Sequence, residues 1–265
     1  MKALIKLGGT LLDAPELRAN LAGQIAAQAQ RGIEITVVHG GGKQMTRYLA
    51  ERGIESRFVN GLRVTTPETM DAVLKVLAGS VNQELVAALI AAGARAVGLT
   101  GVDANLVEAE QMDPALGMVG RVTRAHPELL DVLVSRGFLP VVACVAGSRD
   151  GRMYNVNADQ MAAACAAAWR ADRLIFLTDI AGVLDASGQV QPVLSAEECQ
   201  GLIAAGVATG GMQAKLNAAS AALDAGVDEI EIAPGASPEV LARLFAGELA
   251  GTKIVRAAQR VTSHD

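Results

Sequence analysis

The sequence predicts an α/β protein built on a mostly parallel sheet with helices on both faces, and three observations carry that prediction. Short apolar runs alternate with longer helix-like stretches along the 265 residues, the pattern of strand–helix units. Hydrophobic residues make up 51% of the chain but aromatics only 3%, so the core is expected to consist of small aliphatic side chains, with Ala-rich helices packed on the sheet. Glycine pairs or triplets follow the first two strand-like runs, at Gly8-Gly9 and Gly40-Gly41-Gly42, where an α/β chain turns from strand to helix.

In chain order, strands are expected at residues 3–7, 33–38, 94–99, 139–144, 173–177 and 229–232. Helices are expected at 15–31, 42–52, 67–92, 126–136, 157–169, 195–205, 210–225 and 237–245. Residues 105–123 break the rhythm with Asp113-Pro114, Gly117 and Gly120 and read as a hairpin-like insertion. Asp185-Ala186-Ser187-Gly188 reads as a turn, and the weakly apolar residues 257–265 as a disordered tail. A lobe division near Ala171 separates residues 1–170 from 171–265, with no Pro- or Ser-rich linker between them. The two lobes are therefore expected to share one sheet, which would bind ligands at the carboxyl ends of its strands.

The net charge of −5 argues against nucleic acid or an anionic membrane as partner. Cys144, Cys165 and Cys199 are odd in number and lack CxxC spacing, which predicts buried free thiols in a reducing compartment. His39, His126 and His264 show no metal-ligand spacing. No uninterrupted apolar run of membrane-spanning length is evident, and the chain opens directly on a strand signal without a leader pattern. These features predict a cytoplasmic, soluble protein.

Six motifs carry chemistry. Lys6-Leu7-Gly8-Gly9-Thr10 places a cation and exposed N–H groups at the end of a strand, where an anion fits; a tight turn with a solvated lysine is the bland alternative. His39-Gly40-Gly41-Gly42 offers a run of N–H donors against the alternative of a flexible loop, with His39 read as structural. Arg63, in Asn60-Gly61-Leu62-Arg63-Val64-Thr65, is a candidate fork for a carboxylate that does not react. In Asn155-Val156-Asn157-Ala158-Asp159, Asn157 is suited to capping a helix, leaving Asn155 to bind substrate and Asp159 to orient cations. Thr209-Gly210-Gly211 opens a helix that carries Lys215 near its start, where the dipole repels a cation unless an anion intervenes. Thr178, Asp179 and Gly182 follow a strand of the second lobe and suit a nucleotide base or ribose. Neither a Walker loop nor a dinucleotide fingerprint occurs in the sequence.

In this order the motifs resemble the amino acid kinase family from Lys6 to about Arg256, most specifically in residues 60–65, 155–159 and 210–215. The resemblance implies a three-layer α/β/α sandwich with an eight-stranded, mainly parallel sheet. Its N-terminal lobe would bind an acyl substrate and form the dimer contact, and its C-terminal lobe would bind ATP. By the same resemblance Lys6 and Lys215 stabilise the transferring phosphoryl group and Asp159 holds them in place. Gly8, Gly9, Gly41 and Gly42 surround phosphates and substrate, with Gly210 and Gly211 on the nucleotide side. Arg63 and Asn155 bind the acid, and Thr178, Asp179 and Gly182 the nucleotide. The branch most resembled phosphorylates the γ-carboxylate of N-acetyl-L-glutamate with ATP and Mg²⁺. A carrier-bound α-aminoadipate kinase and a catalytically silent amino-acid sensor are the alternatives. Lys43 stands where many relatives have proline, and residues 101–112 depart from the common form. The start on the first strand implies a homodimer through residues 67–92, insensitive to arginine, rather than a hexameric ring.

Overall fold

The computed structural model describes residues 1–59 and 61–256. Asn60, expected beside the Arg63 clamp, and the expected disordered tail at 257–265 lie outside the described residues. The chain begins with β1 (Lys2–Leu7), α1 (Pro15–Gln30), β2 (Glu34–His39) and α2 (Gly42–Ala50). The two-residue strands β3 (Phe58–Val59) and β4 (Leu62–Arg63) follow, then a continuous helix Pro67–Ala91. This helix is α-helical at both ends, α3 (Pro67–Val73) and α4 (Asn82–Ala91), with a π-helical stretch at Leu74–Val81 between them. Next come β5 (Ala96–Thr100), β6 (Val107–Gln111), β7 (Val119–Ala125), α5 (Glu128–Ser135), β8 (Leu139–Ala143), β9 (Val145–Gly147) and β10 (Met153–Val156). The remainder is α6 (Ala158–Trp169), β11 (Arg173–Thr178), β12 (Val193–Ser195), α7 (Ala196–Ala204), α8 (Gly210–Asp224), β13 (Glu229–Pro234), α9 (Val240–Phe245) and β14 (Thr252–Val255).

Eight strands form one sheet in the order β12–β14–β13–β11–β1–β2–β8–β5, and every neighbouring pair is parallel except β13 with β14. Strands from both sides of Ala171 thus share one sheet, joined where β1 pairs with β11 from Ala3↔Arg173 to Leu7↔Leu177. The centre of this sheet is buried on both faces, as expected for parallel strands: Ala3, Leu4, Ile5 and Leu7 of β1 and Leu174 to Leu177 of β11 are fully inaccessible. The expected small aliphatic core is present, with Trp169 and Phe176 as its largest fully buried side chains.

Six of the strands have no counterpart in the predicted set. β9 and β10 are three and four residues long, too short for period-2 alternation to register. With the hairpin β6–β7, which occupies the expected insertion, they close a small four-stranded barrel. The brief strands β12 and β14 extend the sheet edge beyond β13. The β3–β4 hairpin replaces the polar connection expected before residue 67, and Asn60-Gly61 between apolar neighbours was its signal. The turn at Asp185 forms as expected, its Oδ1 accepting from the backbone of Ser187 and Gln189. The cysteines are free and buried.

No span-length candidate was expected, yet Pro67–Ala91 has the length and mean hydropathy, 1.5, of a membrane span. Its apolar residues Val73, Leu77, Leu85 and Leu89 instead pack into the core, and Asp71, Lys75 and Glu84 interrupt its surface. A core helix of an α/β protein meets the same criterion of length and composition.

Candidate active site

The site forms at the carboxyl ends of the central strands. Lys6 lies one residue from the end of β1, which then turns into Gly8 and Gly9. Gly8 N–H donates to Leu177 O at 3.2 Å, and Gly40 N–H, after β2, donates to Leu7 O at 3.3 Å. The two glycine loops therefore emerge side by side. A Cβ on Gly9 would lie 2.7 Å from Gly42 N, and one on Gly41 would lie 2.5 Å from Leu77 Cδ2. Backbone facing Gly9 and the Leu77 side chain facing Gly41 leave little room for a Cβ in either loop.

Helix α6 brings the acidic member. Asn157 caps it as expected, its side-chain oxygen accepting from the N–H groups of Asp159 and Gln160 at 2.9 and 3.2 Å. Asp159 in the first turn points back over β1. Its Oδ1 is 2.8 Å from Lys6 Nζ and 3.0 Å from Lys215 Nζ. Lys215 arrives from α8, which begins at Gly210 with a left-handed φ of +53°. Its Nζ also lies 5.1 Å from the centre of the Phe176 ring. The anion that answers a lysine placed early in α8 is thus a protein carboxylate. All three side chains are at least nine-tenths buried.

Burial penalises both charge signs here, and the ion pairs work against it. Lys215 is lowered to about 8, first by burial and then by the positive charge of Lys6, with Asp159 opposing. Burial alone would raise the Asp159 carboxyl, but the two ammonium groups outweigh it and hold it below the usual range.

A cavity of about 230 Å³ opens onto Lys6 and Asp159. Glycines 9, 40, 41 and 42 line it together with Arg63 and Asn155. The Arg63 guanidinium donates to Thr46 Oγ1 at 2.8 Å, to Gly42 O at 3.2 Å and to Ser56 Oγ, and it stacks 4.6 Å from the centre of the Phe58 ring. Asn155 Nδ2 donates to Thr65 Oγ1 at 3.0 Å. The loop between β6 and β7 clasps Thr65, which exchanges backbone hydrogen bonds with Leu116 and Met118. The small barrel thereby fixes the wall that carries Asn155. Gly61, at φ +77° on the β3–β4 hairpin, leans to within 4.0 Å of Gly210, measured from an added Cβ. The hairpin thus roofs the cavity towards α8.

Lys6, Asp159, Arg63, Asn155, Gly9, Gly41 and Gly42 are therefore brought together, and Lys215 joins them through Asp159. Thr178, Asp179 and Gly182 do not line this cavity. Thr178 ends β11, adjacent to β1, and Asp179 and Gly182 follow it; Gly235 N–H donates to Thr178 O at 2.8 Å. Gly182 packs against β14: an added Cβ would lie 2.8 Å from Thr252 Oγ1. The sequence reading missed Thr46, Ser56 and Phe58, which hold Arg63, and Cys144 in the wall. Burial pushes the Cys144 thiol up to about 11 despite nearby Lys6. Among the described residues no cluster of three or more His, Cys, Asp or Glu side chains is placed to hold a metal ion.

Buried ammonium groups facing glycine N–H donors can stabilise charge on a phosphoryl group between two anions. The comparisons with known proteins agree with such chemistry. A protein of Solibacter usitatus named "Acetylglutamate kinase" is 66% identical over 97% of this chain and all of its own length. One of the same name from Koribacter versatilis is 44% identical over 96% of this chain and 99% of its own. A solved N-acetylglutamate synthase from Neisseria gonorrhoeae, in complex with coenzyme A and N-acetyl-glutamate, superposes with a TM-score of 0.86 at 27% identity. That match covers 97% of this chain and 60% of that longer one. The model of the amino acid kinase family matches residues 1–234. With every strand of the sheet except β14 and every residue of the charged cluster inside that match, the chain belongs to the amino acid kinase family.

Proposed function

We propose that this chain transfers the γ-phosphoryl group of ATP to the γ-carboxylate of N-acetyl-L-glutamate, the acyl-phosphate-forming step of arginine biosynthesis. The observation that carries the reading is the pair of ammonium groups, one from strand β1 and one from helix α8, meeting on a single oxygen of Asp159 at the floor of a cavity with a guanidinium in its wall. The relatives at 66% and 44% identity, both named for this activity, supply the substrate.

A glutamate side chain is ionised at neutral pH, with a reference pKa of about 4.3, so no general base is needed. A γ-carboxylate oxygen attacks the γ-phosphorus while the bond to the β,γ-bridging oxygen breaks and ADP leaves. The barrier lies in bringing two anions together. Lys6 and Lys215, with N–H groups of the glycine loops, supply positive charge where they meet. Asp159 keeps the two lysines close without cancelling both charges. Arg63 holds the α-carboxylate, and Asn155 the remaining polar groups of the acid.

ATP is assigned to residues 171–265, with its phosphates between Gly8-Gly9 and Gly210-Gly211 and its nucleoside near Thr178, Asp179 and Gly182. The acyl substrate is assigned to residues 1–170, which contain all the lining residues of the cavity. Mg²⁺ fits this site as a companion of the phosphates. The carboxylate in the cavity wall, Asp159, is already engaged by two cations, so phosphate oxygens and water would provide the ligands. When bound, the ion screens phosphate charge. A homodimer through residues 67–92 and a cytoplasmic location complete the reading.

A hydroxamate assay across N-acetyl-L-glutamate, L-glutamate, L-aspartate and α-aminoadipate tests it. ATP-dependent acyl phosphate should form fastest with the acetylated acid. A higher kcat/KM for aminoadipate, or ADP formation no faster than without acid, would overturn the assignment.

A further inference from the structure

The glycine loop after β2 is held from behind by a buried polar chain that the phosphoryl-transfer chemistry does not use. His39, the last residue of β2, is fully buried. Its Nδ1 lies 3.0 Å from Gly40 O, and because a carbonyl only accepts, Nδ1 carries the proton. Nε2 then presents its lone pair to Asn82 Nδ2 at 2.9 Å, and the second N–H of that amide donates to Val141 O at 3.0 Å. Each donor in this chain has an acceptor only when the imidazole is neutral. Burial pushes His39 down to about 4, so it stays neutral. Gly98 makes room for the amide: a Cβ there would lie 2.1 Å from Asn82 Oδ1.

Asn82 reaches this position because of the helix that carries it. At the end of the π-helical stretch its backbone N–H donates to Leu77 O, five residues back. In a regular α-helix, residues five apart point about 140° away from each other, at 3.6 residues per turn. The widened turn lets both reach the same loop, Leu77 against Gly41 and Asn82 onto His39.

We propose that Asn82 is a positioning residue: through His39 it fixes the backbone of Gly40–Gly42 where that loop lines the substrate cavity. The kinetic part of this inference rests on the phosphoryl transfer proposed above; the tautomer of His39 does not.

The test uses the full-length protein with ¹⁵N-labelled histidine, His39 being assigned by comparison with His126→Gln and His264→Gln variants. Imidazole nitrogen shifts should show the Nδ1–H tautomer, unchanged between pH 5.5 and 8. Asn82→Ala should leave the proton on Nδ1, held by Gly40 O, but shift the Nε2 resonance as that nitrogen loses its donor, and it should lower kcat about ten- to hundredfold, as displacement of a positioning element by about 1 Å does, with both KM values within about threefold. Asn82→Ser keeps one donor for Nε2 and should recover much of the lost kcat. An Nε2–H tautomer in the parent protein overturns the proposal. So does an Asn82→Ala enzyme within about twofold of the parent kcat, or a folded Asn82→Ser enzyme whose kcat falls below one-tenth of the parent's. If Asn82→Ala does not fold, the parent tautomer and the serine variant decide. A parent protein without kinase activity would sink the proposed reaction instead, and leave the tautomer as the test of the network.

Discussion

At the scale of single residues, the site depends on how two buried ammonium groups share one carboxylate oxygen. Lys215 is lowered to about 8 by burial and by Lys6, so its ammonium form is lost as pH rises through that value. Because kcat/KM reports the free enzyme, it should fall above pH 8, whereas the limb in kcat should lie higher because bound phosphates favour the charged lysine. A kcat/KM profile flat to pH 10 would remove Lys215 from its role. Asp159→Asn leaves two buried ammonium groups without an anion, and removing one partner of a buried ion pair costs about 3–5 kcal/mol. The variant should be both inactive and less stable, and ATP should restore much of its thermal stability by replacing the missing negative charge. A melt unchanged by both the substitution and ATP would contradict that account.

At the scale of elements, short segments with little regular structure do the positioning. Arg63 sits on a two-residue strand and is steadied by Thr46 of α2, by Ser56 and by Phe58. Hydrogen bonds to charged groups contribute about 1.5–3 kcal/mol. Arg63→Ala should therefore raise KM for the acid roughly ten- to hundredfold with little change in kcat, as read by steady-state kinetics. An unchanged KM would remove Arg63 from the acid-binding role. The hairpin was legible as Asn60-Gly61 between apolar neighbours, but its placement over Gly210, nearly 150 residues away in sequence, was not. The barrel strands β9 and β10 are set by tertiary pairing, since so short a run carries no periodic signal of its own.

At the scale of the whole molecule, one sheet crosses the proposed lobe boundary, and the site sits where β1 meets β2 and β11. The long helix at 67–91 buries one side in the core and leaves Ile90 more than half exposed. With the dimer proposed through this helix, Ile90→Lys should shift the protein towards monomer in sedimentation velocity. A dimer unaffected by the change, or a hexamer in the parent protein, would count against that interface.

The fold class, the order of the main elements and the glycine, lysine and aspartate motifs follow from the sequence alone, because strand–helix periodicity and the need for N–H groups near an anion are local properties. Tertiary structure alone determined that Lys6 and Lys215, 209 positions apart, share one oxygen of Asp159. It also decided that His39 is wired to Asn82 and that the barrel loop grips Thr65. Those arrangements depend on which segments the sheet order and the widened helical turn bring together, and no local pattern encodes such distances.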